Sequence, residues 1–335
     1  MEKKSKPDAF VNLLAACRER GSIPERHLDI LKGFYTEYLK ASHLDSSQIG
    51  TLFATMLTLI EKQCLAPFTF EPFHRLIRKP FDYYQFGIDF VLPLVDLPHS
   101  SVRGQEHLNA ISSALSRGDN VIFLANHQVE ADPQVISILL EKDYPLLAEQ
   151  MIFVAGERVV TDPLAAPFSM GRNLLCIYSK RYIDYPPEDK GKKQHHNKRT
   201  MQVMSELLAE GGKAIYVAPS GGRDRANASG LVEIAPFDPQ SIEMFYLMAQ
   251  KAGHPTHFYP MALKTYDILP PPEAIQVELG EARLAQRSSI HLAVGSEIDM
   301  ETFPGSETSD RRQKRAARAL YIRNLVLSAY NRFPR

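Results

Sequence analysis

From about residue 80 the chain alternates short apolar runs with amphipathic helical patterns, and that alternation leaves few architectures open to it. Candidate strands fall at 121–125, 151–155, 174–178, 213–218, 256–262, 275–279 and 289–294. Helical patterns fit 103–117, 133–142, 197–210, 240–252 and 309–330. Strands joined through helices run parallel, because a parallel pair needs a long crossover. The last two strands come without a helix between them, so a mixed sheet is expected near the end. The pattern predicts a three-layer α/β/α domain with a mixed, largely parallel sheet.

Residues 8–64 show helical stripes and no convincing strand. Phe10, Leu13 and Leu14 share one face, and Leu28, Ile30, Leu31, Phe34, Tyr35, Tyr38 and Leu39 make a second stripe after Pro24. Leu52, Phe53, Met56, Leu57, Leu59 and Ile60 make a third, after the cap candidates Asp45 and Ser46. A small helical bundle domain over 1–70 is expected, set off by Pro67-Phe68-Thr69-Phe70-Glu71-Pro72 from an α/β domain over 71–335. The polar stretch 184–198 and the Gly/Ser/Asn-rich stretch 220–230 read as two long loops, a length that usually serves function or motion.

The charges balance, 39 Lys plus Arg against 39 Asp plus Glu, so anion recognition must come from local clusters. Cys17, Cys64 and Cys176 are odd in number and widely spaced, which suits reduced thiols in an intracellular compartment. The start, Met1-Glu2-Lys3-Lys4-Ser5-Lys6-Pro7, has neither a secretory h-region nor the Ser/Arg-rich length of a transit peptide. No apolar run approaches the roughly 20 residues of a bilayer span. A soluble protein with no transmembrane segment is expected.

Chemistry concentrates at strand ends. Asn126-His127-Gln128-Val129-Glu130-Ala131-Asp132-Pro133 follows the apolar run 121–125 and opens a helix with Pro in its first turn. A neutral imidazole can take a proton from a hydroxyl near neutral pH, and a carboxylate can fix its tautomer, so His127 and Asp132 suit a base and its partner. The plainer reading makes Asp132 a helix cap and His127 a loop residue. Ala218-Pro219-Ser220-Gly221-Gly222-Arg223-Asp224-Arg225 follows a second strand; its glycines admit close backbone approach, and its two arginines match phosphate oxygens. Here the plainer reading pairs those arginines with acids such as Asp224 or Glu233. Gly171-Arg172-Asn173 leads through a third strand to Ser179-Lys180-Arg181.

Other classes fit less well. His127, Glu130 and Asp132 lack a second histidine at a ligand spacing, so no metal and no cofactor is expected. Ser220 could serve a thioester hydrolase, but its surround misses the first glycine of G-x-S-x-G. The basic runs 192–199 and 311–315 lack the interleaved aromatic residues of a nucleic-acid module and read as solvated helix faces; either can alternatively dock an acidic carrier protein.

The order Asn126-His127 with Asp132, Gly171-Arg172-Asn173 to Ser179-Lys180, Ala218 to Arg225, and Phe258-Tyr259-Pro260 resembles the four blocks of glycerolipid acyltransferases. Val154-Ala155-Gly156-Glu157-Arg158, Asp162-Pro163-Leu164, Pro167-Phe168-Ser169-Met170-Gly171, Ala235-Pro236-Phe237-Asp238 and Leu269-Pro270-Pro271-Pro272 are similar to the soluble, plastid-type glycerol-3-phosphate acyltransferases, over about 65–300. The resemblance implies acyl transfer from acyl-acyl carrier protein or acyl-CoA to the 1-hydroxyl of glycerol 3-phosphate, without an acyl-enzyme. It makes His127 the general base and Asp132 its partner, and it places the phosphate among Lys180, Arg181, Tyr182, Arg223 and Arg225. Where the family has a Lys-His pair this chain has Arg181-Tyr182, which keeps one cation and replaces the other with a neutral hydroxyl. The implied compartment is a bacterial cytoplasm or, once a transit peptide is removed, the plastid stroma.

Overall fold

A computed structural model describes residues 8–180, 183–271 and 283–334. Three helices come first: α1 (Ala9–Arg20), α2 (Glu25–Ala41) and α3 (Ser46–Leu65). Two of them begin on side-chain caps. Asp8 accepts the amides of Phe10 and Val11, and Asp45 forms a reciprocal capping box with Gln48. The remaining elements are β1 (Phe73–His74), α4 (Tyr83–Val91), β2 (Ser101–Arg103), α5 (Gln105–Ser116), β3 (Asn120–Ala125), α6 (Asp132–Leu140), α7 (Pro145–Gln150), β4 (Ile152–Gly156), α8 (Arg158–Thr161), α9 (Ala166–Ser169), β5 (Asn173–Ile177), α10 (Lys190–Glu210), β6 (Ala214–Val217), β7 (Arg225–Ala226), β8 (Val232–Glu233), α11 (Pro239–Gln250), β9 (Thr256–Lys264), β10 (His291–Val294) and α12 (Arg311–Tyr330).

Eight strands form one sheet in the order β1-β5-β4-β6-β3-β9-β10-β2. The five from β5 to β9 are parallel; β1 and β10 run antiparallel to β5 and β9, and β2 pairs parallel with β10. This is the mixed, largely parallel sheet that the alternation predicts. The strand expected at 275–279 lies outside the described residues.

Side chains on β3 alternate between two cores. Val121, Phe123 and Ala125 enter one, and Ile122 and Leu124 the other. The second core is closed by α10, α11 and α12 through Met204, Phe245 and Ile322. The first takes Ile111 of α5 and Ile136 of α6 and continues into α1–α3 by way of Phe90 on α4. The Phe90 ring stands 5.8 Å from Phe34 and 5.1 Å from both Tyr38 and Phe53, and the Tyr38 hydroxyl donates to the Phe90 carbonyl at 2.7 Å. The N-terminal helices therefore form a fourth layer over one face of the sandwich.

Two of the expected loops are more ordered than their composition suggests. The stretch 184–198 is helical from Lys190 onward, and the sequence pattern hides this because α10 buries polar groups where an apolar stripe would normally show. Lys193 is buried with its ammonium 5.5 Å from the Tyr178 ring, and His196 stacks on Phe70 at 4.6 Å and bonds the Cys176 carbonyl. The 220–230 segment ends in a hairpin that sets Arg225 opposite Glu233.

Gly171 and Arg172 support the first core. Arg172 is 2% exposed at the amino-terminal end of β5, with its guanidinium 4.6 Å from the Tyr84 ring and Nη1 bonded to the Ser137 hydroxyl at 2.5 Å. Burial pulls its pKa down to about 10. A Cβ on Gly171 would lie 2.5 Å from the Tyr83 carbonyl carbon and from the Tyr84 nitrogen, backbone atoms that cannot turn aside. Gly171→Ala should therefore destabilise the fold by about 1–3 kcal/mol. A urea unfolding midpoint equal to that of the parent would show that α4 yields freely.

Candidate active site

Parallel strands present their carboxyl ends along one edge, where the connecting loops converge. β3 delivers Asn126 to Ala131 to that edge, β6 delivers Ala218 to Asp224, and β5 delivers Tyr178 to Lys180. β6 and β9 flank β3, so the loops after β6 and β9 meet the β3 loop from either side.

His127 Nδ1 lies 2.8 Å from Asp132 Oδ2. A carboxylate oxygen accepts here, so Nδ1 is the donor of this bond and, in the neutral ring, Nε2 is left with its lone pair. The Asp132 side chain is 1% exposed and that of His127 is 29% exposed, which turns the imidazole outward from a buried partner. Asp132 Oδ2 also accepts the amide of Gln128 at 2.8 Å and that of Val129 at 3.4 Å, and Oδ1 accepts the Thr265 hydroxyl at 2.6 Å. Asp132 is thus the first residue of α6 rather than its cap, and its carboxylate fastens the loop ahead of the helix. Ala131 occupies the capping position and makes no side-chain bond.

The residues on either side of His127 are fully buried. Asn126 mimics a strand partner for β9: its amide donates to the Leu263 carbonyl at 2.9 Å and its oxygen accepts the Leu263 amide at 2.8 Å. Gln128 accepts the amides of Thr265 at 2.7 Å and Tyr266 at 3.1 Å. Both turn a donor toward Asp224 Oδ2, Asn126 at 2.9 Å and Gln128 at 3.4 Å. The Asp224 amide donates to the His127 carbonyl at 2.6 Å, and Asp224 Oδ1 accepts the Ala235 amide at 2.9 Å. Burial pushes the Asp224 carboxyl above its ordinary range, and the bonds from Ala235 and Asn126 offset part of that push.

Asp224 therefore faces inward, between two arginines that alternate away from it. Glu130 approaches Arg223, 3.9 Å from Oε1 to Nη1, and the hairpin sets Arg225 opposite Glu233, one of the acids that the plainer reading names. Arg225 lies in β7 and is half-buried. Lys180 reaches Asp238, the cap of α11, at 2.6 Å. The Ser220 hydroxyl donates to the Gly222 carbonyl at 2.8 Å. Arg181 and Tyr182 lie outside the described residues. Among the described residues no helix is long and apolar enough to cross a membrane.

Thr265, Asp224 as a loop anchor, and Arg283 on Glu130 had no local motif to announce them. Thr265 stands 133 positions from Asp132, and only the β3–β9 pairing joins them. Thr265→Val leaves a buried carboxylate oxygen short of a donor and should destabilise the fold by about 1–3 kcal/mol. Thr265→Ser keeps the hydroxyl and should restore most of that loss, read by urea denaturation of the three proteins side by side; equal midpoints for Val and Thr would contradict it.

A family model described as Acyltransferase matches residues 99–264. The chain is 39% identical over 321 residues to the chloroplastic glycerol-3-phosphate acyltransferase of Spinacia oleracea, covering 93% of this chain and 67% of that protein. It is 38% identical over 310 residues to the Arabidopsis thaliana protein of the same description, covering 90% and 68%, and 36% identical over 338 residues to that of Phaseolus vulgaris, covering 99% and 73%. A looser likeness, 16% identical with a TM-score of 0.40 over 91% of this chain and 96% of the other, is to the crystal structure of a 1-acyl-sn-glycerophosphate acyltransferase from Thermotoga maritima. With this identity spanning nearly the whole of its length, the chain belongs to the family of plastid-type glycerol-3-phosphate acyltransferases.

Proposed function

We propose that the chain transfers an acyl group from a thioester donor to the 1-hydroxyl of glycerol 3-phosphate with His127 as general base, giving 1-acylglycerol 3-phosphate. The observation that carries this is one outward-facing imidazole on a buried carboxylate, at the same sheet edge as Arg223. Nε2 takes the hydroxyl proton as that oxygen attacks the thioester carbonyl. The tetrahedral intermediate then expels the thiolate, which takes the proton back from Nε2. Asp132 stabilises the imidazolium and holds the ring in place.

Arg223 and Arg225 hold the substrate phosphate in this reading, joined by Arg181 and Tyr182 as the family resemblance implies. Lys180 contributes when it leaves Asp238. Ser220 spends its proton on the Gly222 carbonyl, which argues against a serine hydrolase and favours direct transfer. Thiol release from the acyl donor should therefore require glycerol 3-phosphate. His127→Ala should lower kcat roughly 10²- to 10⁴-fold with glycerol 3-phosphate affinity kept, whereas Arg223→Ala and Arg225→Ala should act mainly on KM for that substrate. Undiminished turnover in His127→Ala would sink the mechanism.

An acidic acyl carrier protein is the donor that the local charge favours, and α10 suits it better than α12. α10 follows β5, so its first turns, with exposed Lys192, Lys198 and Arg199, lie at the catalytic edge. α12 reaches that edge with its other end, where Lys264 bonds the Pro334 carbonyl, and its 20 residues put Arg311 and Arg312 about 30 Å away. Arg315 and Arg318 of α12 also meet Glu243, at 3.7 and 2.5 Å. Reversing Lys192, Lys198 and Arg199 to Glu should raise the apparent KM for a carrier-borne donor severalfold, and reversing Arg311, Arg312 and Arg315 should not. The opposite pattern in steady-state assays would move the docking face to α12. The chloroplastic relatives support the plastid as the compartment.

A further inference from the structure

We propose that Glu130 is a positioning residue: anchored by Arg283, it holds Arg223 in place for the substrate phosphate and so governs glycerol 3-phosphate binding without joining the proton transfer. The proposal rests on the reading that Arg223 contacts that phosphate. Glu130 lies in the β3–α6 loop between His127 and Asp132, with its side chain 41% exposed. Arg283, 9% exposed, donates to Oε2 from both Nε, at 3.1 Å, and Nη2, at 2.8 Å. Oε1 is turned to Arg223 Nη1 at 3.9 Å, and the Arg223 side chain is 17% exposed. One oxygen of a single carboxylate is thus committed to the anchor, and the other restrains the arginine.

Two effects oppose each other here. A carboxylate beside a phosphate site repels the incoming dianion, so Glu130 weakens binding if charge alone decides. A guanidinium already confined to one place loses less rotamer freedom on meeting the phosphate, so Glu130 strengthens binding if confinement decides. Arg283 tips the balance, since its forked bond to Oε2 offsets the charge of Glu130 while leaving Oε1 available. Desolvation pushes the Glu130 carboxyl up, and Arg283 followed by Arg223 outweighs it, leaving the group below the ordinary carboxylate range and ionised at neutral pH.

The test is steady-state kinetics of the full chain with glycerol 3-phosphate varied at saturating acyl donor. Glu130→Gln should raise KM for glycerol 3-phosphate about tenfold, with kcat and the donor KM within about twofold of the parent. Arg283→Gln should give the same rise, and the double variant no more than either single one, because the pair acts as a unit. An unchanged or lowered KM in Glu130→Gln, additive effects in the double variant, or a joint fall in kcat and donor affinity would each overturn the proposal. Arg223→Ala is run alongside. If it leaves KM for glycerol 3-phosphate unchanged, the clamp reading itself fails; if it raises KM and Glu130→Gln does not, only the role of Glu130 fails.

Discussion

A carboxylate taken almost wholly out of water must find donors inside the protein or lose its charge, and Asp132 finds four. Two are amides of the loop that leads to it, one is the imidazole, and one is the hydroxyl of Thr265, just past the end of β9. Each donor fixes a different part of the site. The amides set the path of the loop, the imidazole takes its tautomer from the bond, and Thr265 registers the loop against β9. Removing the charge from Asp132 would loosen all three at once.

Asp224 does the corresponding work for the arginines. It is buried, it binds both residues that flank His127, and its own amide meets the His127 carbonyl. The spacing between His127 and the arginine loop is therefore set by two buried carboxylates and two side-chain amides rather than by the flexible arms of arginines. In the proposed mechanism, a substrate whose hydroxyl and phosphate are separated by a fixed number of bonds calls for such a frame, since misplacement by about 1 Å can cost two orders of magnitude in rate.

The parts that could be read from the chain are those whose signal is local. The strands from 121 to 262 announce themselves as apolar runs, and His127, Asp132 and Arg223 stand directly after two of them. β1 and β2, two and three residues long, carry no period of their own and exist because β5 and β10 offer edges to pair with. The start of α10 is hidden because Lys193 and His196 fill places that a hydrophobic pattern would mark. Thr265 and Arg283 are hidden for a different reason: their partners lie on distant segments, and nothing short of the sheet order brings them together.

That distance has a consequence for when the site comes into being. As the chain is synthesised, His127 and Asp132 emerge far ahead of Asp224, Leu263 and Thr265, the residues that later seat their loop. A nascent chain lacking β9 holds the histidine and the aspartate but not the supports that orient them. The setting of His127 is therefore complete only once β9 has docked into the sheet, although the histidine itself lies in the first half of the sequence.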